Sequence, residues 1–343
     1  MRASVFYQHG GREVLRVIDD LPIPEPGPGE VRLRMGAIAL NRLDLWVREG
    51  WPGLHLTLPH ITSSDGAGTI DALGPGVTDW QIGERVGINP TYVDPAELLR
   101  WGREEDVPRI QILGEDRPGV AAEYVCLHTR HLIRLPDHVT FEQAAAAGLV
   151  YITAWHSLIA RGGLRPGETV LIVGAGGGVN SASIQIARYA GAQVIVVGST
   201  AEKCEQARQL GAHIVVDRSA DPAWAKAVYR LTDKRGVDVV VDNVGAATIF
   251  DSIRSLKRGG RVLIVGNTSG PQAQIDLRYL FGRNLTIIGS SMGTTRDFQT
   301  VMGLVFSGAL KPVIGATLPL DQIAEGHRLL EEGAVFGKVV LTL

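Results

Sequence analysis

From Thr169 onward, short β-branched runs alternate with segments of helical composition, and this alternation restricts what the C-terminal half can fold into. The runs fall at 169–173, 193–197, 213–216, 237–242, 261–265 and 285–288, separated by stretches such as 201–210 and 222–232. Strands spaced by helices form parallel βαβ units with right-handed crossovers. The array therefore predicts an α/β fold built on a doubly wound parallel sheet, with a ligand at the carboxyl ends of its strands.

At the first of those ends, Gly174-Ala-Gly-Gly-Gly-Val-Asn180 leads into an amphipathic helix. Backbone N–H groups at a helix start carry partial positive charge and hold a pyrophosphate without a cationic side chain. Residues lacking Cβ let the ligand approach the backbone. The stretch reads as a dinucleotide-binding turn, with Gly176, Gly177, Gly178 and Val179 as its binding residues. Aligning Ala175, Gly177 and Asn180 with the usual glycine triplet puts asparagine where glycine permits close helix-to-strand packing. Asn180 is read as a structural substitution, with an amide turned toward the pyrophosphate as the alternative.

Cofactor preference is read at the end of the second strand, where an acidic residue about 20 positions beyond the glycines marks NAD. Here the chain runs Val196-Val-Gly-Ser-Thr-Ala-Glu-Lys203. No carboxylate stands at the strand end. Gly198 leaves room, Ser199 and Thr200 offer hydroxyls, and Lys203 offers a charge for a 2′-phosphate, so NADP(H) is favoured over NAD(H). The alternative is a solvated Lys203 with Glu202 turned inward toward NAD. Val241-Asp-Asn-Val-Gly245 and Val265-Gly-Asn-Thr268 end the fourth and fifth strands, which places Asn243, Gly245, Gly266 and Asn267 near the cofactor. Asp242 is read either there or as a cap for the next helix.

A net charge of −2, from 34 basic and 36 acidic residues, carries no footprint for nucleic acid or an anionic membrane. The longest apolar run, 144–155, is too short to span a bilayer. The first residues lack the apolar core of an export signal. Cys126 and Cys204 stand far apart and form no ligand-like spacing, so a cytoplasmic setting is expected. The partner expected is a small-molecule substrate.

The first 125 residues are β-rich and turn-dense, with Pro-Gly pairs at Pro26-Gly27, Pro28-Gly29 and Pro75-Gly76. The terminal Gly337-Lys-Val-Val-Leu-Thr-Leu343 reads as a strand returning to that domain. Together with the turn, five motifs make the whole chain resemble the medium-chain dehydrogenase/reductase superfamily. They are Asn41-Arg-Leu-Asp-Leu-Trp-Val-Arg-Glu-Gly50, Ser64-Asp-Gly-Ala-Gly68, Gly83-Glu-Arg-Val-Gly87, Ala121-Ala-Glu-Tyr-Val125 and Thr153-Ala-Trp-His156. The resemblance implies a chaperonin-10-like (GroES-like) substrate domain, 1–126 completed by 312–343, and a Rossmann dinucleotide-binding domain, 127–311. It also implies that Thr153 lies near the nicotinamide and that the chain forms a homodimer or homotetramer, with 285–290 as the edge for pairing.

In the alcohol dehydrogenases of this superfamily zinc is held by cysteine, histidine and a second cysteine or aspartate. The matching positions are Asn41, Ser64 and Leu149, none a normal zinc ligand. No zinc is expected, although Asp44, His60 and Asp65 offer an improvised set. The region matching the structural zinc lobe has no cysteine. There Asp94-Pro95-Ala-Glu97 predicts a packed helix with Asp94 as N-cap and Glu97 as capping-box partner. His128 and His131 fall on strand and loop and are read as surface residues.

Without zinc, conjugated acceptors need less electrophilic help than simple ketones, because they spread the incoming charge. The resemblance is to the zinc-free quinone oxidoreductase-like branch, whose Asn-x-x-Asp pattern matches Asn41 and Asp44. These are the expected catalytic residues: Asn41 donates to the acceptor carbonyl and Asp44 orients it or a bound water, with Arg48 pairing Asp44 one turn on; a purely structural pair is the alternative. No tyrosine occurs before Tyr92 to give a proton, leaving water. The pocket lining is read at Trp46, Trp51, Tyr151 and Met292. An NADPH-dependent quinone or enone reductase is the leading reading. An alcohol dehydrogenase or carbonyl reductase, and an NADPH-binding protein without turnover, are the alternatives.

Overall fold

Val170 to Val173 are all buried, as a strand covered on both faces requires, and they sit at the centre of a six-stranded sheet. The order is Ile214–Asp217, Gln193–Gly198, Thr169–Val173, Val237–Asp242, Leu256–Ile264, Thr286–Gly289, and every pairing is parallel. The chain winds outward from Thr169–Val173 in both directions. The switch point therefore lies at its carboxyl end, where Gly174 begins the glycine turn. The expected strands are all present with ends moved by at most one residue, except the fifth. That strand begins at Leu256, and a register shift between Val237 and Val239 accommodates the extra residues before Arg261.

The helices Gly178–Tyr189, Ala201–Gln209 and Trp224–Leu231 follow successive strands. Trp224, Val228, Ile249 and Ile253 pack with Leu171, Ile195, Val240 and Val262 in one buried cluster. Burying such a side chain contributes about 1.5–3 kcal/mol, which is why the sheet's faces carry almost no polar residue.

The computed structural model describes all 343 residues, and the chain divides into two compact units. One is Val150–Gly293 with Ala309–Lys311, and the other is Met1–Leu149 with Thr294–Gly308 and Pro312–Leu343. The β-rich unit runs past 126 because Leu132–Arg134 pairs with Arg85–Ile88, and Ala145 and Ala146 are buried with Ala37, Ala39 and Val340. Its spine is the eleven-residue strand Glu30–Leu40, flanked by Asp65–Leu73, Tyr124–His128 and Lys338–Thr342. Lys338–Thr342 runs antiparallel to Glu30–Leu40, pairing Val339 with Leu40 and Thr342 with Ala37, so the C-terminus returns to this unit. A Cβ at Gly68 would lie 2.3 Å from the Arg34 carbonyl oxygen, so the two central strands meet there only because position 68 has none.

The helix Pro95–Trp101 forms with Asp94 capping Ala96 N–H at 2.8 Å. It is not packed, as no residue of it is buried and Leu99 is 87% exposed. Glu97 does not complete a capping box either, because its carboxylate accepts the Trp101 indole N–H at 2.9 Å. No helix is long and apolar enough to cross a membrane.

Candidate active site

The glycine turn is held by the residue that breaks the glycine pattern. Gly174 adopts φ +99°, a left-handed conformation that favours glycine, and Gly177 is the N-cap of the Gly178–Tyr189 helix. Asn180 donates its amide to the Val173 carbonyl at 3.0 Å and the Gly174 carbonyl at 2.8 Å, and accepts from the Asn243 amide at 2.8 Å. Its amide is thus engaged by protein, which settles it as structural: it closes the loop that a third glycine would leave open. Gly176, Gly178 and Val179 are half-buried and Gly177 is exposed at the start of a twelve-residue helix. The first N–H groups of such a helix have no intrahelical partner and are presented for an anion.

At the end of the second strand, Thr200 is the N-cap of Ala201–Gln209 and accepts the Lys203 backbone N–H at 3.3 Å. Ser199, Thr200 and Lys203 are half-buried side by side. The room beside Gly198 is filled from within the unit, since a Cβ there would lie 2.4 Å from the Cys204 thiol. Glu202 is exposed, and its carboxyl is held below the usual range by its own backbone N–H and the Thr200 hydroxyl. Sequence reading missed Arg218. It follows the third strand, donates its backbone N–H to the Gly198 carbonyl at 3.0 Å, and is exposed beside Ser199. The signal was a basic residue one position past a strand end, invisible until the neighbouring strands were in register.

Asp242 is fully buried and caps the following turn. One oxygen accepts the N–H groups of Val244 at 2.8 Å and Gly245 at 3.0 Å, and the other accepts the Ser252 hydroxyl at 2.6 Å. Thr248 adds its hydroxyl at 2.9 Å. Asn243, Gly245, Gly266 and Asn267 are brought together: a Cβ on Gly245, at φ +89°, would meet Asn267 Cα at 2.9 Å, and one on Gly266 would meet the Asn243 carbonyl at 2.9 Å. Through the Asn243–Asn180 bond this group adjoins the glycine turn. Thr153 is buried, with its hydroxyl 3.2 Å from Met292 Sδ. Tyr151 lines no pocket, since it is 1% exposed and its hydroxyl donates to the Lys311 carbonyl and accepts from Gln185, both at 2.9 Å.

In the β-rich unit, three strand ends assemble a buried polar cluster. Asn41 follows Glu30–Leu40, Asp65 opens Asp65–Leu73 opposite Ala39, and Lys338 opens the C-terminal strand. The Asn41 amide donates to Asp65 Oδ2 at 2.8 Å, and its oxygen accepts from Lys338 Nζ. Lys338 also donates to Asp65 Oδ2 at 3.0 Å, and the other Asp65 oxygen accepts the Leu149 N–H at 2.6 Å. A Cβ at Gly148 would stand 2.2 Å from that oxygen, so position 148 has to be bare for Asp65 to enter.

Asp44 does not orient the Asn41 side chain. It accepts the Asn41 backbone N–H at 2.7 Å as a capping-box residue of Arg42–Glu49. Its Oδ1 is buried without a partner, and burial raises its pKa to about 7 against the pull of the Asn41 N–H and Lys338. Arg48 does not pair with Asp44 either. It is drawn to Glu331 at 2.9 Å, Glu49 at 3.0 Å and His327 at 3.1 Å.

The residues at the zinc-matching positions do not fit zinc. The Asn41 oxygen faces an ammonium, Leu149 offers a backbone N–H, and Ser64 presents a neutral hydroxyl with no partner. No group of three or more His, Cys, Asp or Glu side chains comes close enough to hold a metal. His60 is turned to the Gly114 carbonyl at 3.0 Å, away from the improvised set. His128 receives the Arg130 N–H at 3.3 Å. His131, read as a surface residue, is buried on the Thr91 carbonyl at 3.0 Å, and burial pushes its pKa down to about 4.

A doubly wound parallel sheet with its glycine turn at the switch point, joined in one chain to a β-rich unit with a buried polar cluster, defines a dinucleotide-dependent oxidoreductase. Comparison with known proteins makes this specific. Residues 27–137 match the alcohol dehydrogenase GroES-like domain and residues 178–307 match the zinc-binding dehydrogenase domain. Quinone oxidoreductase of Mus musculus is 31% identical, over 100% of this chain and 98% of its own. Crotonyl-CoA reductase of Streptomyces collinus is 31% identical, over 93% of this chain and 80% of its own. The crystal structure of an NAD-dependent alcohol dehydrogenase superposes with TM-score 0.94 at 46% identity, covering 100% of both chains. The chain belongs to the medium-chain dehydrogenase/reductase superfamily, in its quinone oxidoreductase-like branch, and is an NAD(P)H-dependent oxidoreductase.

Proposed function

We propose that this protein reduces a quinone or an α,β-unsaturated carbonyl with NADPH and without zinc. The observation that carries the reading is the Asn41 amide, held between Lys338 and Asp65 where a metal donor set would otherwise stand. One amide N–H is spent on Asp65, and the other donates to the acceptor carbonyl oxygen. That single donor suffices for a conjugated acceptor, whose π-system takes up the charge arriving with the hydride. The nicotinamide supplies the hydride. Gly176, Gly177, Gly178 and Val179 hold the pyrophosphate, and Thr153, Asn243, Gly245, Gly266 and Asn267 hold the nicotinamide end. Ser199, Thr200 and Lys203 hold the 2′-phosphate, joined by Arg218. The hydride goes to the β-carbon and a proton from water completes the product. Two unpaired cysteines fit a reducing, cytoplasmic setting.

A second reading, an NAD-linked alcohol dehydrogenase, is favoured by the 46% identical structure of that description. Purified protein of known metal content is assayed for oxidation of NADPH and NADH with quinone and enone acceptors, and for alcohol oxidation. NADPH is expected to exceed NADH in kcat/KM by roughly ten- to hundredfold, the equivalent of one shielded charge-assisted bond to phosphate. Activity that vanishes on chelation and returns only with zinc, or a preference for alcohol and NAD, supports the second reading instead. Tight NADPH binding with no turnover across the panel leaves a binding protein.

A further inference from the structure

The neighbours of the Asn41 amide set which of its two ends, oxygen or nitrogen, faces an acceptor and how strongly it donates. Lys338 carries only hydrogen-bond donors and ionised Asp65 carries only acceptors. An amide placed between them has one orientation, oxygen to the ammonium and nitrogen to the carboxylate, and both partners are almost wholly inaccessible, at 4% and 0%. Asp44 and Asp65 are carboxyls, so without Lys338 every charge that the cluster presents would oppose an oxyanion forming at the Asn41 N–H. The ammonium draws electron density through the amide oxygen and makes the remaining N–H a stronger donor.

We infer that Lys338 is a positioning residue of the reduction, locking the Asn41 amide between itself and Asp65 and supplying the positive charge that the developing oxyanion feels through that amide. This rests on Asn41 being the donor to the acceptor. Its substrate-class consequence is that acceptors whose reduced form is a localised enolate, such as an acyclic enone, depend on Lys338 more than quinones, which spread the charge over a ring.

The experiment uses the full-length enzyme and four variants: Lys338→Met, Lys338→Arg, Lys338→Met combined with Asp65→Asn, and Asn41→Ala. Lys338→Met alone leaves Asp65 buried without its counter-charge and is expected to lower the melting temperature, whereas the double variant removes both charges and restores it. The double variant is nevertheless expected to keep kcat at least tenfold down with an acyclic enone. KM for NADPH stays unchanged, and the isotope effect with NADPH deuterated at the transferring position rises. The loss is smaller with a quinone, and Lys338→Arg recovers most of the rate. A double variant with wild-type kcat and isotope effect, while Asn41→Ala is inactive, overturns the role of Lys338 and leaves Asn41 standing. Full activity in Asn41→Ala overturns the placement of the acceptor itself, and Lys338 with it.

Discussion

Asp44 has one oxygen on the Asn41 backbone N–H and the other on nothing, in a place that water does not reach. Burial therefore raises its folded pKa to about 7, above the ordinary value of 3.8 that it regains on unfolding. Between those values the folded state keeps a proton that the unfolded chain has released. Stability contributed by the neutral carboxyl is thus lost as pH rises from about 4 to about 7 and is level above that. Asp44→Asn keeps an acceptor for the Asn41 N–H and removes the titration. Urea midpoints at about pH 5 and about pH 8 are expected to draw together in the variant relative to wild type. An equal drop in both proteins would assign the pH dependence to other groups. At this scale the residues themselves were legible, since the resemblance singled out Asn41 and Asp44 through the Asn-x-x-Asp pattern they match. Their partners were not, because an i to i+4 rule cannot see that Arg48 meets Glu331 and the buried His327, both from the far end of the chain.

Among the elements, the carboxyl end of the fourth strand depends on one side chain. Asp242 gathers the N–H groups of Val244 and Gly245 with the hydroxyls of Thr248 and Ser252 in a fully buried position. Asp242→Ala leaves those donors without an acceptor. It should destabilise the fold by about 3 kcal/mol or more, because bonds to charged groups count about 1.5–3 kcal/mol each and buried orphans add a penalty. Chemical denaturation measures this, and a change below about 1 kcal/mol would show that the turn is held by the loops packed on it. The strands and helices themselves were legible because burial on both faces of a parallel sheet imposes continuous apolar runs, which local composition records. The Pro95–Trp101 helix was legible in its cap and not in its packing. Capping is a matter of neighbouring residues, while burial depends on what else the chain brings to that face.

For the molecule as a whole, Thr286–Gly289 closes one edge of the parallel sheet, paired on one side with Leu256–Ile264 and with no strand on the other, where the Gly289 carbonyl accepts from Arg161 at 3.3 Å. Ile287 is 40% exposed on that strand, and Leu277 and Phe281 are exposed on the preceding helix. An edge of this kind, with no lysine or proline to blunt it, is open to a second copy, and a dimer paired there is the expected outcome. Sedimentation should give a mass near twice 36.8 kDa, and Ile287→Lys should return the chain to a monomer. A monomeric wild type at micromolar concentration would sink the idea. The sequence by itself determined the kind and order of the elements and the glycine turn, since each is a property of neighbouring residues. Only the tertiary structure decided what the Asn41 side chain touches. Its two partners are 24 and 297 positions away, brought to it by antiparallel strand pairing, and a buried charge takes its meaning from the opposite charge that the fold sets beside it.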